Sequence, residues 1–91
     1  MIASNPDFLP QQPLQSFRVV LNLNSSRRRL DQILLEELRK QDKNLILKAI
    51  SRVEFKALFK KKRIRIKGQA ALASSGLASG TTFVDILGFG I

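Results

Sequence analysis

The sequence predicts an α+β domain, with two to three short helices packed on a small antiparallel sheet. Two kinds of periodicity alternate along its 91 residues. FRVVLNL at 17–23, RIRIK at 63–67 and TFVDIL at 82–87 repeat with period two, as half-buried strands do. Two intervening stretches carry apolar residues at i, i+3 and i+4, as amphipathic helices do. In a chain this short, that mixture predicts one domain with a single modest core.

Residues 1–16 hold three prolines among Gln, Asn and Ser, and read as a flexible leader. They have neither the basic n-region nor the apolar h-region of a secretory signal. In the first strand Phe17, Val19, Leu21 and Leu23 share one face, with Arg18, Val20 and Asn22 on the other. Asn24, Ser25 and Ser26 are turn and N-cap types leading into a helix expected over about 27–41. Leu30, Ile33, Leu34 and Leu38 form its core stripe, and Glu36 and Lys40 an i,i+4 pair in the favoured order. Arg27, Arg28 and Arg29 then fall in its first turn, where the helix dipole disfavours cations. Asp31 offsets only part of that cost. A local preference broken three times in a row points to function.

Residues 42–50 suit a short helical turn beneath the next helix, although Leu45-Ile46-Leu47 alone would also suit a strand. Ser51 and Glu54 have the S-x-x-E spacing of a capping box, so a helix starts at Arg52. Phe55, Leu58 and Phe59 form its apolar strip. Arg52, Lys56 and Lys60, at i, i+4 and i+8, make a positive rail beside that strip. Lys61, Lys62 and Arg63 extend the rail toward the strand, where Ile64 and Ile66 point inward and Arg65 and Lys67 outward. Gly68-Gln69 supplies a turn, and 70–72 a short returning strand. Residues 73–79 are small and polar, a surface loop. Gly80 breaks into the last strand at 82–87, and 88–91 form a tail that packs, frays or marks a cut.

Charge is the strongest global feature. Sixteen Lys and Arg against seven Asp and Glu give a formal charge of +9. Eight of the eighteen residues from Ser51 to Gly68 are basic. Such clustering favours polyanions, meaning nucleic acid or an anionic membrane surface. Cations near a helix C-terminus are favourable in themselves, so Lys60 to Arg63 are less diagnostic than Arg52 and Lys56.

The chain has no Cys, no His and no Tyr. This excludes disulfides, thiolate nucleophiles and nitrogen or sulfur metal ligands, and fits a reducing, cytoplasmic compartment. No apolar run reaches the roughly 18 residues of a membrane span. Gly76 and Gly80 lack the Lys and the helix of a phosphate-binding loop. Glu36 and Glu37 diverge by about 100° on a helix and make a poor metal pair. A binding domain without an active site, metal or other cofactor is expected.

The order of parts resembles a known family. Arg29-Leu30-Asp31, then Ser51-Arg52, then Phe55, Leu58, Phe59, Ile64, Ile66 and Gly68 resemble the S4-type RNA-binding domain, the αL RNA-binding motif. The resemblance spans about Phe17 to Leu87, with Gly80 before Phe83 and Val84 as the family's late glycine. Three residues depart from the family pattern. Lys67 replaces its asparagine before the hairpin glycine, Thr81 its late aspartate, and Lys62 the glycine that often ends the second helix. The resemblance implies binding to structured RNA, ribosomal or transfer, by a monomer using the two-helix face and adjoining strand. The strand FRVVLNL is similar to the opening strand of these domains in ribosomal RNA pseudouridine synthases. Those enzymes carry a separate C-terminal catalytic domain, whose G-R-L-D motif is not present here, since Arg28 precedes Arg29-Leu30-Asp31.

The expected contacts are therefore Arg27, Arg28, Arg29, Arg52, Lys56, Lys60, Lys61, Arg63, Arg65 and Lys67. With no Trp or Tyr, an aromatic base-stacking platform is not expected, and phosphate and shape recognition is. The expected role is the targeting module of an RNA-modifying enzyme or a stand-alone ribosome-associated factor. The rival readings are a protein-interaction module on the ribosome, a DNA-binding helix pair, and a basic helix on an anionic membrane. The apolar strip needed for the core argues against the last.

Overall fold

The computed structural model describes residues 12–26 and 29–90. It is an α+β domain with three helices on one face of a four-stranded antiparallel sheet. In chain order the elements are β1 (Ser16–Leu23), α1 (Leu30–Lys40), α2 (Leu45–Lys48), α3 (Arg52–Lys60), β2 (Ile64–Ile66), β3 (Gln69–Ala70) and β4 (Gly80–Leu87). The sheet order is β1-β4-β2-β3, so the first and last strands lie side by side. Their pairing runs from Ser16 opposite Leu87 to Leu23 opposite Gly80.

The period-two patterns settle the sheet faces. Val19, Leu21, Ile64, Val84 and Ile86 point to the helices and are buried, joined by Leu30, Ile33, Leu34 and Leu38 of α1, Leu47 of α2, and Phe55 and Leu58 of α3. Phe55 and Phe59 meet edge to face, ring centroids 5.3 Å apart. Arg18, Asp85 and Arg65 stand in one row across β1, β4 and β2 on the outer face. Asp85 is only 1% exposed, because Arg18 covers it with two hydrogen bonds of 2.7 and 2.9 Å while lying over the Phe83 ring.

Several boundaries differ from expectation for identifiable reasons. Helix α1 starts at Leu30, not at 27, and neither Asn24, Ser25 nor Ser26 caps it. Arg29 is the N-cap, extended and without a side-chain cap bond. The loop after β3 does the capping: the Ser75 carbonyl accepts from Leu30 N–H and the Ala73 carbonyl from Asp31 N–H, at 2.9 and 3.0 Å. The Asp31 carboxylate takes the next one, from Gln32. Arg29 thus stands outside the first turn, and Arg27 and Arg28 lie outside the described residues. That loop is also no mere surface segment, since Leu77 is buried.

Residues 42–50 contain a short helix, as favoured, capped by Asn44, whose side chain accepts from Leu47 N–H. Ser51 caps α3 by accepting from Glu54 N–H, but Glu54 answers by accepting from the Ser51 hydroxyl and not from its backbone. The hairpin turn is Lys67-Gly68, one residue earlier than expected, and β3 ends at Ala70. Gly80 is already in β4, which it opens with φ +107°. In the tail, Gly88 and Gly90 donate to the Gln15 carbonyl, the Phe89 carbonyl accepts from Asn44, and the Phe89 ring packs on the core.

Candidate nucleic-acid interface

Helix α3 buries Phe55 and Leu58, which turns its other residues to two separate flanks. Arg52 and Lys56, one turn apart, face α1. There they line an open groove with Arg29, Asp31, Gln32, Leu35, Glu36 and Arg39. The start of α1 therefore brings Arg29 to the same groove as Arg52 and Lys56. Lys60 is exposed at the end of α3, one turn beyond Lys56.

Arg29 and Asp31 form a two-point ion pair at the groove's end, with contacts of 3.1 and 3.0 Å. The Arg29 guanidinium holds the Asp31 carboxyl below its usual range, with the Gln32 N–H helping against partial burial. The same pair raises Arg29 further, so it stays charged at any ordinary pH. The arginine of the R-L-D sequence is thus fixed in direction by its own aspartate while half its side chain stays in solvent.

Lys61 and Arg63 fall on the opposite flank of α3. They line a second groove with Ile46, Ala49, Ile50, Glu54 and Phe89. Arg63 lies across Gly88, where a Cβ would stand 2.6 Å from its Nη1. The expected single rail from Arg52 to Arg63 is therefore divided in two. Arg65 stays on the outer face and folds along it: its guanidinium donates to the carbonyls of Lys62 and Gly68, on either side of β2, at 3.1 and 3.4 Å. Lys67 is exposed in the hairpin turn.

Helix α3 ends in a left-handed cap made by Lys62, φ +60°. Lys62 N–H bonds to the Phe59 carbonyl and Arg63 N–H to that of Leu58, the paired bonds of a Schellman motif. Lys67, φ +54°, and Gly68, φ +78°, give the hairpin the two positive φ values of a type I′ turn. Lysine here adopts the backbone shape that glycine and asparagine are ordinarily chosen for.

No family model, curated protein or solved structure matches this chain.

The distribution of carboxylates completes the picture. Among the described residues the ion pairs are Arg18–Asp85, Arg29–Asp31, Lys40–Glu37 and Lys48–Asp42. None involves the eight cations from Arg52 to Lys67. Glu54, the one acid in that segment, is engaged by the Ser51 hydroxyl.

Arg39 is the groove residue that the sequence reading missed. Its signal was present, since Asp31, Leu35 and Arg39 follow at i, i+4 and i+8 on one strip of α1. Its guanidinium also donates to the Lys48 carbonyl, tying α1 to the end of α2. Among the described residues no helix is long and apolar enough to cross a membrane.

Proposed function

We propose that this domain binds structured RNA, ribosomal or transfer RNA, through the α1–α3 groove and the neighbouring ends of β2. The observation that carries this reading is charge segregation. Eight cations from Arg52 to Lys67 have no carboxylate partner among the described residues, while Asp31, Glu37, Asp42 and Asp85 pair with cations outside that segment. Self-repulsion of that kind costs stability and is relieved by a polyanion. Phosphate contacts from Arg29, Arg52, Lys56 and Lys60 set affinity, and the groove's shape selects folded RNA over a uniform rod. Phe55 and Phe59 are committed to each other and to the core, which leaves no stacking platform on α3.

We read the α+β arrangement of helices and a basic hairpin as that of an S4-type domain. On this reading the chain is a cytoplasmic, monomeric binding module without its own chemistry. It targets an RNA-modifying enzyme or acts as a ribosome-associated factor. A gel-shift competition tests the class of ligand. Unlabelled transfer RNA or a ribosomal RNA transcript should displace a labelled ribosomal RNA fragment well before a duplex DNA of equal charge does. Equal competition by the DNA would contradict the proposal. Vesicle flotation with anionic lipid should leave the protein unbound. Ribosome co-sedimentation that survives RNase, with no binding to naked RNA, would favour a protein contact instead.

A further inference from the structure

The described residues outside glycine that adopt positive φ are Gln15, Lys62 and Lys67. Gln15 has a structural reason, because its carbonyl accepts from both Gly88 and Gly90 and its backbone fills the space beside Gly90. For the two lysines, the turns explain the conformation but not the side chain. Glycine adopts the left-handed region without cost and asparagine with little, whereas a long L side chain pays for it. Both side chains are exposed, and neither makes a hydrogen bond or ion pair among the described residues. Helix-end electrostatics favours a cation at position 62 but says nothing of position 67, which follows a strand.

The two positions bracket β2, and Arg65 joins them by donating to the carbonyls of Lys62 and Gly68. The turns are thereby held as one unit with a lysine at each end. Strain retained where a neutral, unstrained residue would fit is a mark of a functional position. We propose that Lys62 and Lys67 are phosphate contacts, kept in left-handed turns against their backbone cost. This rests on the RNA-binding reading and deepens it, by assigning the contact at the ends of β2 to two residues whose backbone is held at a cost.

The test separates stability from affinity. Lys62→Gly and Lys67→Asn each relax the backbone and remove a charge. Each should melt higher than the parent, by about 4 °C or more for a domain of this size. Each should also bind a small-subunit ribosomal RNA transcript several-fold more weakly. The slope of log K against log salt should fall by about 0.7–0.9 per lysine. Lys62→Arg and Lys67→Arg should keep the slope. Lys43→Gln, an exposed lysine outside both turns, measures the effect of net charge alone and should leave the slope unchanged. Variants that fail to gain stability, or that gain it with an unchanged slope, overturn the inference. An equal slope loss in Lys43→Gln does so as well. A parent protein that binds neither this transcript nor transfer RNA sinks the RNA-binding reading first, and this inference with it.

Discussion

Arg18 and Asp85 meet on the outer face of the sheet, where the pair is largely covered and the Arg18 guanidinium lies over Phe83. The hydrogen bonds to Asp85 raise Arg18 above the usual guanidinium value, so neutralising the acid leaves a covered charge unpaired. Asp85→Asn should cost about 2–3 kcal/mol in urea unfolding. Asp31 is the residue with a pH signature. Its folded value lies below that of the unfolded chain, so its stabilisation is complete at neutral pH and lost as pH falls through the carboxylate range. The melting temperature should decline below about pH 4, and Asp31→Asn should flatten part of that decline. The raised arginines act in the opposite sense, losing stability only as pH climbs beyond their own high range, so they add no pH dependence in ordinary buffers. Residues whose position follows from spacing along one helix were legible in the sequence: Arg52 and Lys56 on α3, and the core stripe of α1. Arg18 with Asp85 was not, because only the β1–β4 register brings residues 67 positions apart together.

Helix ends divide in the same way. The start of α3 is encoded locally, by Ser51 and its bond to Glu54 N–H, and Ser51→Ala should cost about 1 kcal/mol by chemical denaturation. The start of α1 is encoded more than forty residues downstream, in the carbonyls of Ala73 and Ser75. Cap-type residues Asn24, Ser25 and Ser26 therefore misplace it. Arg52, Lys56 and Lys60 follow α3 as their spacing predicts, yet the extension to Lys61 and Arg63 runs past the helix, which ends at Lys60. The left-handed Lys62 redirects the chain there, and Lys61 and Arg63 line the groove beside Phe89. The left-handed caps at Lys62 and Lys67 were legible only as absences, since lysine stood where glycine or asparagine was expected.

At the scale of the molecule, the longest strands are the first and last, paired along their whole length. The fold is therefore closed by contacts between distant parts of the chain, and such contacts are slow to form. Residues 88–90 extend that closure by docking on Gln15 and Asn44. Phe89→Ala should lower stability by about 2 kcal/mol in the same denaturation assay, although composition alone left the tail undecided. Periodicity did, however, make the α+β class plain, and composition the excess of positive charge. With core and ion pairs accounted for, the cations from Arg52 to Lys67 remain without a carboxylate partner among the described residues. The most direct measurement is the salt dependence of ribosomal RNA binding by the parent and the Arg52→Ala/Lys56→Ala variant, with folding checked by circular dichroism. The parent should weaken log-linearly with salt, and the folded variant should bind less tightly with a slope smaller by about 1.5. A folded variant with the parent's affinity and slope would contradict the α1–α3 groove as the RNA-binding surface.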